Sequence, residues 1–486
     1  MTRQIRLLGL GLIVCYLLLF AQLNRLTIFE ANSLNNNPIN TRAILRDFSR
    51  PRGTVTTADG VIVARSVPSA DRYRFQREYP EGDLFAQVSG YYSFTLGSSG
   101  VERTYNDELA GRTAGLSFRS PSDLFVTKER VGNLTLSLEA NLQRIARDQL
   151  GNREGSVVAL DPRSGEILVL VSTPTYDPNL LANHDTAAAA EAQILLDADP
   201  EKPRLARTYQ DRYFPGSTFK VVTATAGLDS GKVTTEAPSY PVTREYTPPG
   251  TSRALQNFGG SACGGTLFPI LRVSCNTAFA QMGVDNGPET MIGTAQAFGF
   301  NRAVPIDLTA PARSNFPTDF IRNLPALAQA SIGQNDVSAT PLQMAMVAGA
   351  IANSDGDVMV PHVLRDVRDT DGNIVDTYKP KVWTRAMQPG TAQIMREAMI
   401  GVVENGTATR LAVPGFVVGG KTGTAQLGTT PPRSHAWIIG WGGRPNEKPS
   451  IAVAVIVEGQ PGASEQTGGQ VAAPIAQAII AAYLSA

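Results

Sequence analysis

The chain has 486 residues, of which 42% are hydrophobic and 18% charged, and its Lys plus Arg and its Asp plus Glu residues both number 43. A net charge of zero leaves no basic excess to neutralise phosphates, which argues against a nucleic-acid-binding protein. Three cysteines and three histidines, widely scattered, are too few for a zinc ribbon, a multi-histidine metal centre or a disulfide-dense fold. The length predicts two or three domains, and we expect neither a metal nor an organic cofactor.

The N-terminus carries an apolar run from Leu7 to Leu23, which follows Arg3 and Arg6. As a helix it would be about 25 Å long, close to the shorter limit for crossing a bilayer. A cleaved signal peptide is the alternative, but the run is long for one and no small-residue cleavage site follows it. We therefore assign residues 1–24 to a cytoplasmic tip and a transmembrane anchor in membrane lipid. Positive flanks stay in the cytoplasm, so the rest of this single-pass protein would lie on the extracytoplasmic side of the cytoplasmic membrane.

Residues 25–150 are predicted to form a stalk and a small, mostly extended pedestal domain. Residues 30–50 are polar and rich in asparagine, which is typical of a stalk. Strand-like pieces follow at Gly53–Val63 and Asp71–Arg77, and a helical stretch follows at Asn141–Leu150. These short elements predict a mostly-β domain that ends before residue 151.

Residues 151–486 show the pattern of one α+β domain. Two apolar strands, Ser156–Asp161 and Glu166–Ser172, are separated by a hairpin turn, and a helix-rich middle follows. Three more strands and a closing helix come late in the chain, at Phe416–Ala425, His435–Gly440, Ile451–Glu458 and Val471–Leu484. The order predicts a sheet that is closed by distant parts of the chain.

The first residues with a chemical signature are Ser217 and Lys220, which follow Pro215-Gly216 and open a helix-forming run. The Pro-Gly pair marks an entry turn, so Ser217 is predicted to lie in or near the first helical turn. Residues at i and i+3 share a helical face, and a neutral lysine can activate a serine nucleophile. Of the eight lysines, only Lys220 has a serine three positions earlier. Alone, the pair could equally be a solvated lysine on an ordinary helix.

Two more short motifs follow in order along the chain. Ser274-Cys275-Asn276 begins 57 residues after Ser217, and Lys421-Thr422-Gly423-Thr424 begins 147 residues after Ser274, inside a predicted strand. Each motif alone is typical of an ordinary loop or strand end. Together and in this order they resemble the Ser-x-x-Lys, Ser-x-Asn and Lys-Thr-Gly set of serine β-lactamases and penicillin-binding proteins.

Sequence outside the three motifs extends the resemblance to nearly the whole chain. Residues 155–179 are similar to the opening hairpin of a penicillin-binding transpeptidase domain, and residues 333–345 to one of its late helices. Arg52-Gly53 and Gly100-Val101-Glu102-Arg103 resemble the pedestal of a monofunctional class B enzyme, with the actinobacterial penicillin-binding protein A group as the nearest match. The resemblance implies a transpeptidase domain of the penicillin-binding protein and serine β-lactamase fold, an antiparallel sheet flanked by helices.

By this resemblance, Ser217 attacks the carbonyl of the penultimate D-alanine of a peptidoglycan stem peptide and expels the last D-alanine. An amine from a neighbouring stem then takes the acyl group from the enzyme. Lys220 would be the base, although the resemblance leaves open whether it is the only one. Its pKa must be lowered, and Lys421, as a cation about 4 Å away, would supply up to ~4 kcal/mol without deep burial. Ser274 would pass a proton to the leaving amine.

The remaining motif positions would bind the substrate. By resemblance, Asn276 holds the substrate amide with its donor and acceptor, and the strand residues Lys421, Thr422, Gly423 and Thr424 receive the terminal carboxylate. The backbone N–H groups of Ser217 and Thr424 would form the oxyanion hole. The resemblance further implies lipid-linked precursors as substrates, β-lactam antibiotics as covalent inhibitors, and cell-division or elongation proteins as partners.

Cys263 and Cys275 lie twelve residues apart, and Cys275 is the middle residue of the second motif. On the oxidising extracytoplasmic side of the membrane, two nearby cysteines favour a disulfide. Such a bond would restrain one side of the active site. Two unrelated buried thiols are the alternative, because separation in sequence does not fix the distance between the Cα atoms.

The motifs leave three other functions open. A D,D-carboxypeptidase differs only in passing the acyl group to water. A β-lactamase of the same fold shares all three motifs, although such compact hydrolases lack a pedestal and an uncleaved anchor. A catalytically idle scaffold for cell-division proteins would not be expected to keep Ser217, Lys220 and Lys421. We therefore expect a D,D-transpeptidase of cell-wall synthesis, and the sequence does not separate a septal from an elongation role.

Overall fold

The computed structural model describes residues 2–25, 41–117, 130–320, 323–430, 433–460 and 466–486. The chain forms two compact units, one from Met1–Pro51 with Ser66–Gln76 and the other from Arg52–Arg65 with Arg77–Ala486. The predicted stalk lies outside the described residues as far as residue 40. Its remainder is not irregular, because Thr41–Phe48 form a helix.

Strands and helices occur along the whole described chain. The strands, in chain order, are β1 (Val55–Thr56), β2 (Ile62–Pro68), β3 (Phe75–Glu78), β4 (Tyr92–Ser93), β5 (Gly97–Ser98), β6 (Asn133–Leu136), β7 (Gly155–Leu160), β8 (Ile167–Thr173), β9 (Tyr240–Thr243), β10 (Glu245–Tyr246), β11 (Leu255–Gln256), β12 (Cys263–Gly265), β13 (Asp357–Met359), β14 (Leu364–Arg368), β15 (Ile374–Thr377), β16 (Val382–Arg385), β17 (Val417–Gln426), β18 (Ser434–Gly443) and β19 (Ile451–Val457). The helices are α1 (Thr2–Asn24), α2 (Thr41–Phe48), α3 (Ala86–Ser89), α4 (Gly100–Thr104), α5 (Asn106–Leu109), α6 (Ala114–Ser117), α7 (Ala140–Leu150), α8 (Asn179–Ala182), α9 (Thr186–Ala198), α10 (Arg207–Gln210), α11 (Lys220–Asp229), α12 (Leu267–Arg272), α13 (Asn276–Asn286), α14 (Pro288–Ala297), α15 (Leu324–Ala330), α16 (Pro341–Ala352), α17 (Pro389–Asn405) and α18 (Gly468–Ser485).

The N-terminal helix α1 has the length and composition to cross a membrane. Its apolar stretch, Arg3–Asn24, has 22 residues, which rise about 33 Å at 1.5 Å per residue and so match a hydrocarbon core of ~30 Å. Large apolar side chains along it are exposed, for example Leu12 at 64% and Phe20 at 60%. The predicted apolar run Leu7–Leu23 lies entirely within this helix.

A first sheet has six strands in the order β15-β14-β6-β1-β2-β3. The predicted strand Gly53–Val63 is interrupted between β1 and β2 by a tight turn at Asp59-Gly60. Gly60 has a φ of 82°, and its N–H donates to the carbonyl of Thr57 at 3.0 Å. An Asp-Gly pair favours such a turn because glycine adopts positive φ without steric cost. The predicted strands are therefore present in shorter form, and the same region also contains the helices α3 to α7.

Two strands of this first sheet come from far beyond the predicted boundary at residue 150. β14 pairs antiparallel with β6, from Leu364 opposite Leu136 to Arg368 opposite Asn133, and β15 pairs with β14. The pairing buries the apolar side chains of both strands, since Leu364 and Leu136 are 6% and 0% exposed. A single cut between residues 150 and 151 therefore does not separate the first sheet from the rest of the fold.

The second sheet is antiparallel and has five strands in the order β17-β18-β19-β7-β8. Each strand overlaps its range predicted from the sequence, and every residue of β7 and β19 is buried. The closing helix α18 packs against β18 and β19, and α16 packs against β19 and β7. The α+β fold with an antiparallel sheet flanked by helices is confirmed. β17, which carries the third motif, is an edge strand of this sheet.

Candidate active site

Ser217 lies in a single 3-10 turn, Gly216–Phe219, that leads directly into α11. The sequence predicted that Ser217 lies in or near the first turn of the helix, whereas the structure has a tighter 3-10 turn immediately before the helix begins. With three residues per turn, side chains at i and i+3 eclipse, so Ser217 and Lys220 still lie on one side. Gly216 has a φ of 53°, and its N–H donates to the carbonyl of Gly333 at 3.0 Å. This hydrogen bond holds the turn against the backbone at Gly333.

Lys220 is completely buried and its ammonium group is surrounded by oxygen atoms. Nζ donates to the carbonyl of Ser274 at 2.7 Å, to Asn276 Oδ1 at 2.6 Å and to Ser274 Oγ at 3.2 Å. The ring of Phe279 lies 5.7 Å from Nζ. The first and second motifs, separated in sequence, are therefore joined through one side chain.

The Ser274 hydroxyl connects the second motif to the third. Ser274 Oγ accepts from Lys421 Nζ at 2.8 Å and from Lys220 Nζ at 3.2 Å. Lys421 Nζ also donates to the carbonyl of Thr422 at 2.9 Å. Ser274 itself has a φ of 61°, a conformation that costs energy for a residue other than glycine and that clusters at functional sites. One hydroxyl thus lies between two lysines.

Burial lowers the pKa of both lysines. Burial lowers the pKa of Lys220 well below its ordinary value, and the neighbouring charge of Lys421 lowers it further. Burial also lowers the pKa of Lys421 to about 7. The sequence predicted that the charge of Lys421 lowers the pKa of Lys220 without deep burial. That prediction is wrong about the main cause, because burial lowers this pKa more than the charge of Lys421 does. The three oxygen acceptors around Lys220 Nζ favour its charged form and counteract part of the lowering.

The backbone of β17 lies directly against the turn that carries Ser217. A Cβ atom at Gly423 would lie 2.9 Å from the carbonyl oxygen of Pro215, and one at Gly216 would lie 2.8 Å from that of Thr424. Two glycines therefore allow two backbones to touch where any side chain would separate them. This approach places Thr424 beside Ser217, as an oxyanion hole made from their N–H groups requires.

Thr422 has a hydrogen-bond partner that sequence reasoning missed. Its side chain points to the opposite face of β17 from Lys421, because side chains alternate along a strand. Thr422 Oγ1 lies 2.6 Å from the hydroxyl of Thr407, in the loop after α17. The N–H of Thr407 donates to the carbonyl of Arg272 at 3.3 Å, two residues before Ser274. Nothing in the sequence pattern marks Thr407, since its contacts are made with residues far away in the chain.

Asn276 uses both ends of its side-chain amide within the protein. Oδ1 accepts from Lys220 Nζ, and Nδ2 donates to the carbonyl of Gln256 at 3.0 Å. The resemblance implies that these groups bind the substrate amide. In this structure, a substrate would have to share or replace a protein partner to use them.

The structure joins Cys263 and Cys275 as a disulfide, with their Cα atoms 5.8 Å apart. Cys275 is buried and precedes Asn276, while Cys263 lies on β12. The bond therefore attaches β12 to the start of α13.

Cys263→Ser is expected to lower the free energy of unfolding by about 3 kcal/mol, because a closed loop of this size restricts the unfolded chain by that amount. Urea unfolding of the full chain in detergent measures the change, and the reducing agent dithiothreitol should lower the stability of the wild type to the same value. Cys15→Ser is the matched control, since Cys15 is a free cysteine in α1. An unfolding curve of Cys263→Ser that overlays the wild type would contradict a stabilising bond.

Comparison with known proteins gives the same result as the geometry. The chain matches the family described as "Penicillin binding protein transpeptidase domain" over residues 155–481 and the "Penicillin binding protein A dimerisation domain" over residues 52–134. Peptidoglycan D,D-transpeptidase PbpA of Mycolicibacterium smegmatis is 38% identical, over 100% of this chain and 99% of that protein. Its counterpart of the same name in Mycobacterium tuberculosis is 36% identical over the same shares.

Solved structures show the same relationship. The ceftriaxone acyl-enzyme complex of penicillin-binding protein A from M. tuberculosis has a TM-score of 0.81 at 36% identity and covers 90% of this chain and 99% of that chain. The PBP2 of Pseudomonas aeruginosa in complex with WCK 5153 has a TM-score of 0.74 at 28% identity and covers 89% and 96%. The fold and the three converging motifs define the class of serine transpeptidases that react with penicillin. The chain belongs to the penicillin-binding protein transpeptidase family, in its penicillin-binding protein A group.

Proposed function

We propose that this chain is a peptidoglycan D,D-transpeptidase that works through an acyl-enzyme on Ser217. The observation that carries the proposal is the position of Ser274 Oγ, within 2.8 Å of Lys421 Nζ and 3.2 Å of Lys220 Nζ. That arrangement can move a proton between the two lysines beside a partly exposed serine. The printed names of the relatives, and the acyl-enzyme found in one of them, support the same reaction.

Acylation begins when neutral Lys220 takes the proton of Ser217 Oγ. The oxygen attacks the carbonyl of the penultimate D-alanine, and the N–H groups of Ser217 and Thr424 stabilise the oxyanion that forms. Such a donor is typically worth ~3 kcal/mol. The peptide bond to the last D-alanine then breaks, and Ser274 passes the proton from Lys220 to the leaving amine. The acyl group remains on Ser217.

The second half of the reaction reverses the proton path. An amine from a neighbouring stem peptide attacks the acyl-enzyme, and Ser274 and Lys220 accept the proton that this amine loses. The new amide bond is the cross-link, and Ser217 Oγ regains its proton. Exclusion of water in favour of the amine separates this reaction from hydrolysis by a carboxypeptidase or a β-lactamase.

Substrate binding uses the strand β17. Lys421 supplies the positive charge for the terminal carboxylate of the stem peptide, and the hydroxyl of Thr424 is a hydrogen-bond donor to it. Thr422 would have to give up its bond with Thr407 on the other face of β17 to join them. Gly423 keeps the strand close enough to Ser217 for both groups to reach one substrate. Asn276 holds the substrate amide while it also supports Lys220. β-Lactams, which carry a carboxylate and a strained amide, acylate the same serine.

The cellular setting follows from α1. Arg3 and Arg6 lie before the apolar run Leu7–Leu23, and positive flanks favour the cytoplasmic side. We therefore place the N-terminus inside, α1 in the lipid of the cytoplasmic membrane and the catalytic domain outside, where lipid-linked precursors are polymerised and cross-linked. Cell-division or elongation proteins are the proposed partners there.

A donor peptide ending in D-Ala-D-Ala, supplied together with an amine acceptor, tests the reaction directly on the full chain in detergent. A transpeptidase releases D-alanine and forms the acceptor product, and Ser217→Ala forms neither. Release of D-alanine without acceptor product would assign the chain as a carboxypeptidase instead. Absence of both, from folded protein that also fails to bind β-lactam, would leave a scaffold of cell-division proteins.

Replacing Lys421 with methionine is expected to move the acidic limb of the pH–acylation profile to higher pH. Lys220 acts only when neutral, so the rate rises as pH passes its pKa, and the charge of Lys421 keeps that pKa low. Without that charge the pKa of Lys220 rises. Lys421→Arg is the matched control because arginine keeps the positive charge, and its acidic limb should stay at the wild-type position. Acidic limbs at the same pH in Lys421→Met and Lys421→Arg would contradict the coupling between Lys421 and Lys220.

A further inference from the structure

A buried asparagine outside the three motifs makes hydrogen bonds beside the segment that carries Ser274 and Asn276. Asn257 is 5% exposed, and its side-chain amide is fully used. Nδ2 donates to the carbonyls of Thr243 at 2.9 Å and Ser261 at 3.0 Å, and Oδ1 accepts from the N–H of Thr277 at 3.0 Å. One side chain thus connects three segments of backbone.

The contact with Thr277 takes the place of a helix cap. α13 begins at Asn276, and the first N–H groups of a helix have no partner within the helix. A polar side chain at the preceding position usually supplies the missing oxygen. Here that position is Cys275, whose sulfur is bonded to Cys263. Asn257 supplies the oxygen instead, from another segment of the chain.

The residue before Asn257 sets the orientation of the Asn276 amide. Gln256, next to Asn257 in the chain, presents its carbonyl to Asn276 Nδ2 at 3.0 Å. A carbonyl can only accept a hydrogen bond, so the NH2 end of Asn276 must face it. The oxygen end is then left to face Lys220 Nζ, 2.6 Å away. Asn257 therefore fixes both the backbone of Asn276 and the acceptor that orients its side chain.

The chain after Asn257 would not hold this position by itself. Gly259 and Gly260 follow with φ of 63° and 68°, and Phe258 between them and Asn257 is 58% exposed. Glycines in this conformation give the unfolded and the locally opened chain many alternatives. The disulfide begins only at Cys263. Before it, the segment is held by the pairing of β11 with β10, by the N–H of Asn257 on the carbonyl of Arg244 at 3.2 Å, and by the side-chain bonds of Asn257.

We propose that Asn257 is a positioning residue for acyl transfer, which acts by holding the Asn276 amide on Lys220. The proposal rests on the function proposed above for Lys220. Asn257 does not touch the substrate or the reacting atoms. It keeps one of the three oxygen acceptors in contact with the base.

Asn257→Ala is expected to slow acylation by benzylpenicillin about tenfold, as the loss of one well-placed hydrogen-bonded contact does. It should also move the acidic limb of the pH–acylation profile to lower pH. The ammonium form of Lys220 loses an acceptor, so the pKa of Lys220 falls further. Lys421 is the charged group that faces Lys220 in the described part of the chain, and the variant leaves it in place. A purely structural role would slow the reaction without moving the limb.

The matched control is Asn179→Ala. Asn179 bonds both the N–H and the carbonyl of Tyr79, at 2.9 and 3.0 Å, and none of these contacts involves the second motif. This variant should lose stability but keep the wild-type acidic limb. Asn257→Ser, which removes less of the side chain, gives the same test if the alanine variant does not fold.

A double-mutant cycle with Asn276→Ala tests whether Asn257 acts on Lys220 through Asn276. Asn276→Ala alone should shift the limb in the same direction, and adding Asn257→Ala should shift it no further. An unshifted limb in Asn257→Ala, or a second shift in the double variant, would overturn the proposal. The wild type must form a Ser217 adduct in the same experiment. Its absence would overturn the proposed function rather than the role of Asn257.

Discussion

Replacing Lys220 with methionine is expected to slow the acylation of Ser217 by benzylpenicillin about a thousandfold, within the range that general-base catalysis contributes. Methionine matches the volume of lysine and fits the buried position, but it cannot accept a proton. The second-order rate constant of acylation, measured by intact mass over time, gives the loss.

The pH dependence of acylation in Lys220→Met gives a second test of the same prediction. With Lys220 gone, the acidic limb that reports its ionisation should disappear. Lys232→Met is the matched control, since Lys232 is an exposed lysine that donates to the carbonyls of Asp285 and Asn286 at the end of α13. It should acylate at the wild-type rate. A Lys220→Met enzyme that retains both the rate and the acidic limb would show that another group is the base.

Glu102→Gln is expected to lower the free energy of unfolding by about 3–5 kcal/mol, the cost of leaving buried cations without their counter-charge. The Glu102 carboxylate is completely buried between two guanidinium groups, 2.5 Å from Arg52 Nε and 2.6 Å from Arg77 Nε. Glutamine keeps the shape but not the charge. Urea unfolding of the full chain in detergent measures the difference.

Two further measurements check the origin of this effect. Burial alone raises the pKa of Glu102, but Arg77 and Arg52 together outweigh it and lower the net value. The carboxylate therefore contributes stability that is fully present above its unfolded-state pKa of about 4.3 and is lost as pH falls through its lower folded-state pKa. Glu78→Gln is the control, since its ion pair with Arg65 is 39% to 47% exposed and is worth ~1 kcal/mol or less. Equal losses in the two variants would contradict the role of burial.

Local sequence patterns predicted the second sheet well. β7, β8 and β19 are apolar runs with clear ends, and their side chains are buried because each strand has neighbours on both faces. The three motifs were recognisable because acyl transfer requires particular side chains at short spacings. Their meeting in space follows from the sheet, which brings β17 beside the turn at Ser217.

Contacts between distant segments could not be predicted. β14 pairs with β6 from more than two hundred residues away, and no pattern in either strand names its partner. The depth of burial of Lys220 and Lys421 depends on every element packed around them, so the sequence alone could not predict that burial is the larger cause of the lowered pKa of Lys220. Thr407 and Asn257 were missed for the same reason, since their partners are fixed only by the fold.

Intact mass spectrometry of the full chain, with and without benzylpenicillin and beside Ser217→Ala, tests the central assignment most directly. The account predicts one penicilloyl adduct per wild-type chain that persists for many minutes, and no adduct on Ser217→Ala. An adduct that disappears within seconds while the drug is hydrolysed would indicate a β-lactamase. An adduct of equal yield on Ser217→Ala, or none on folded wild-type protein, would contradict the assignment of Ser217 as the nucleophile.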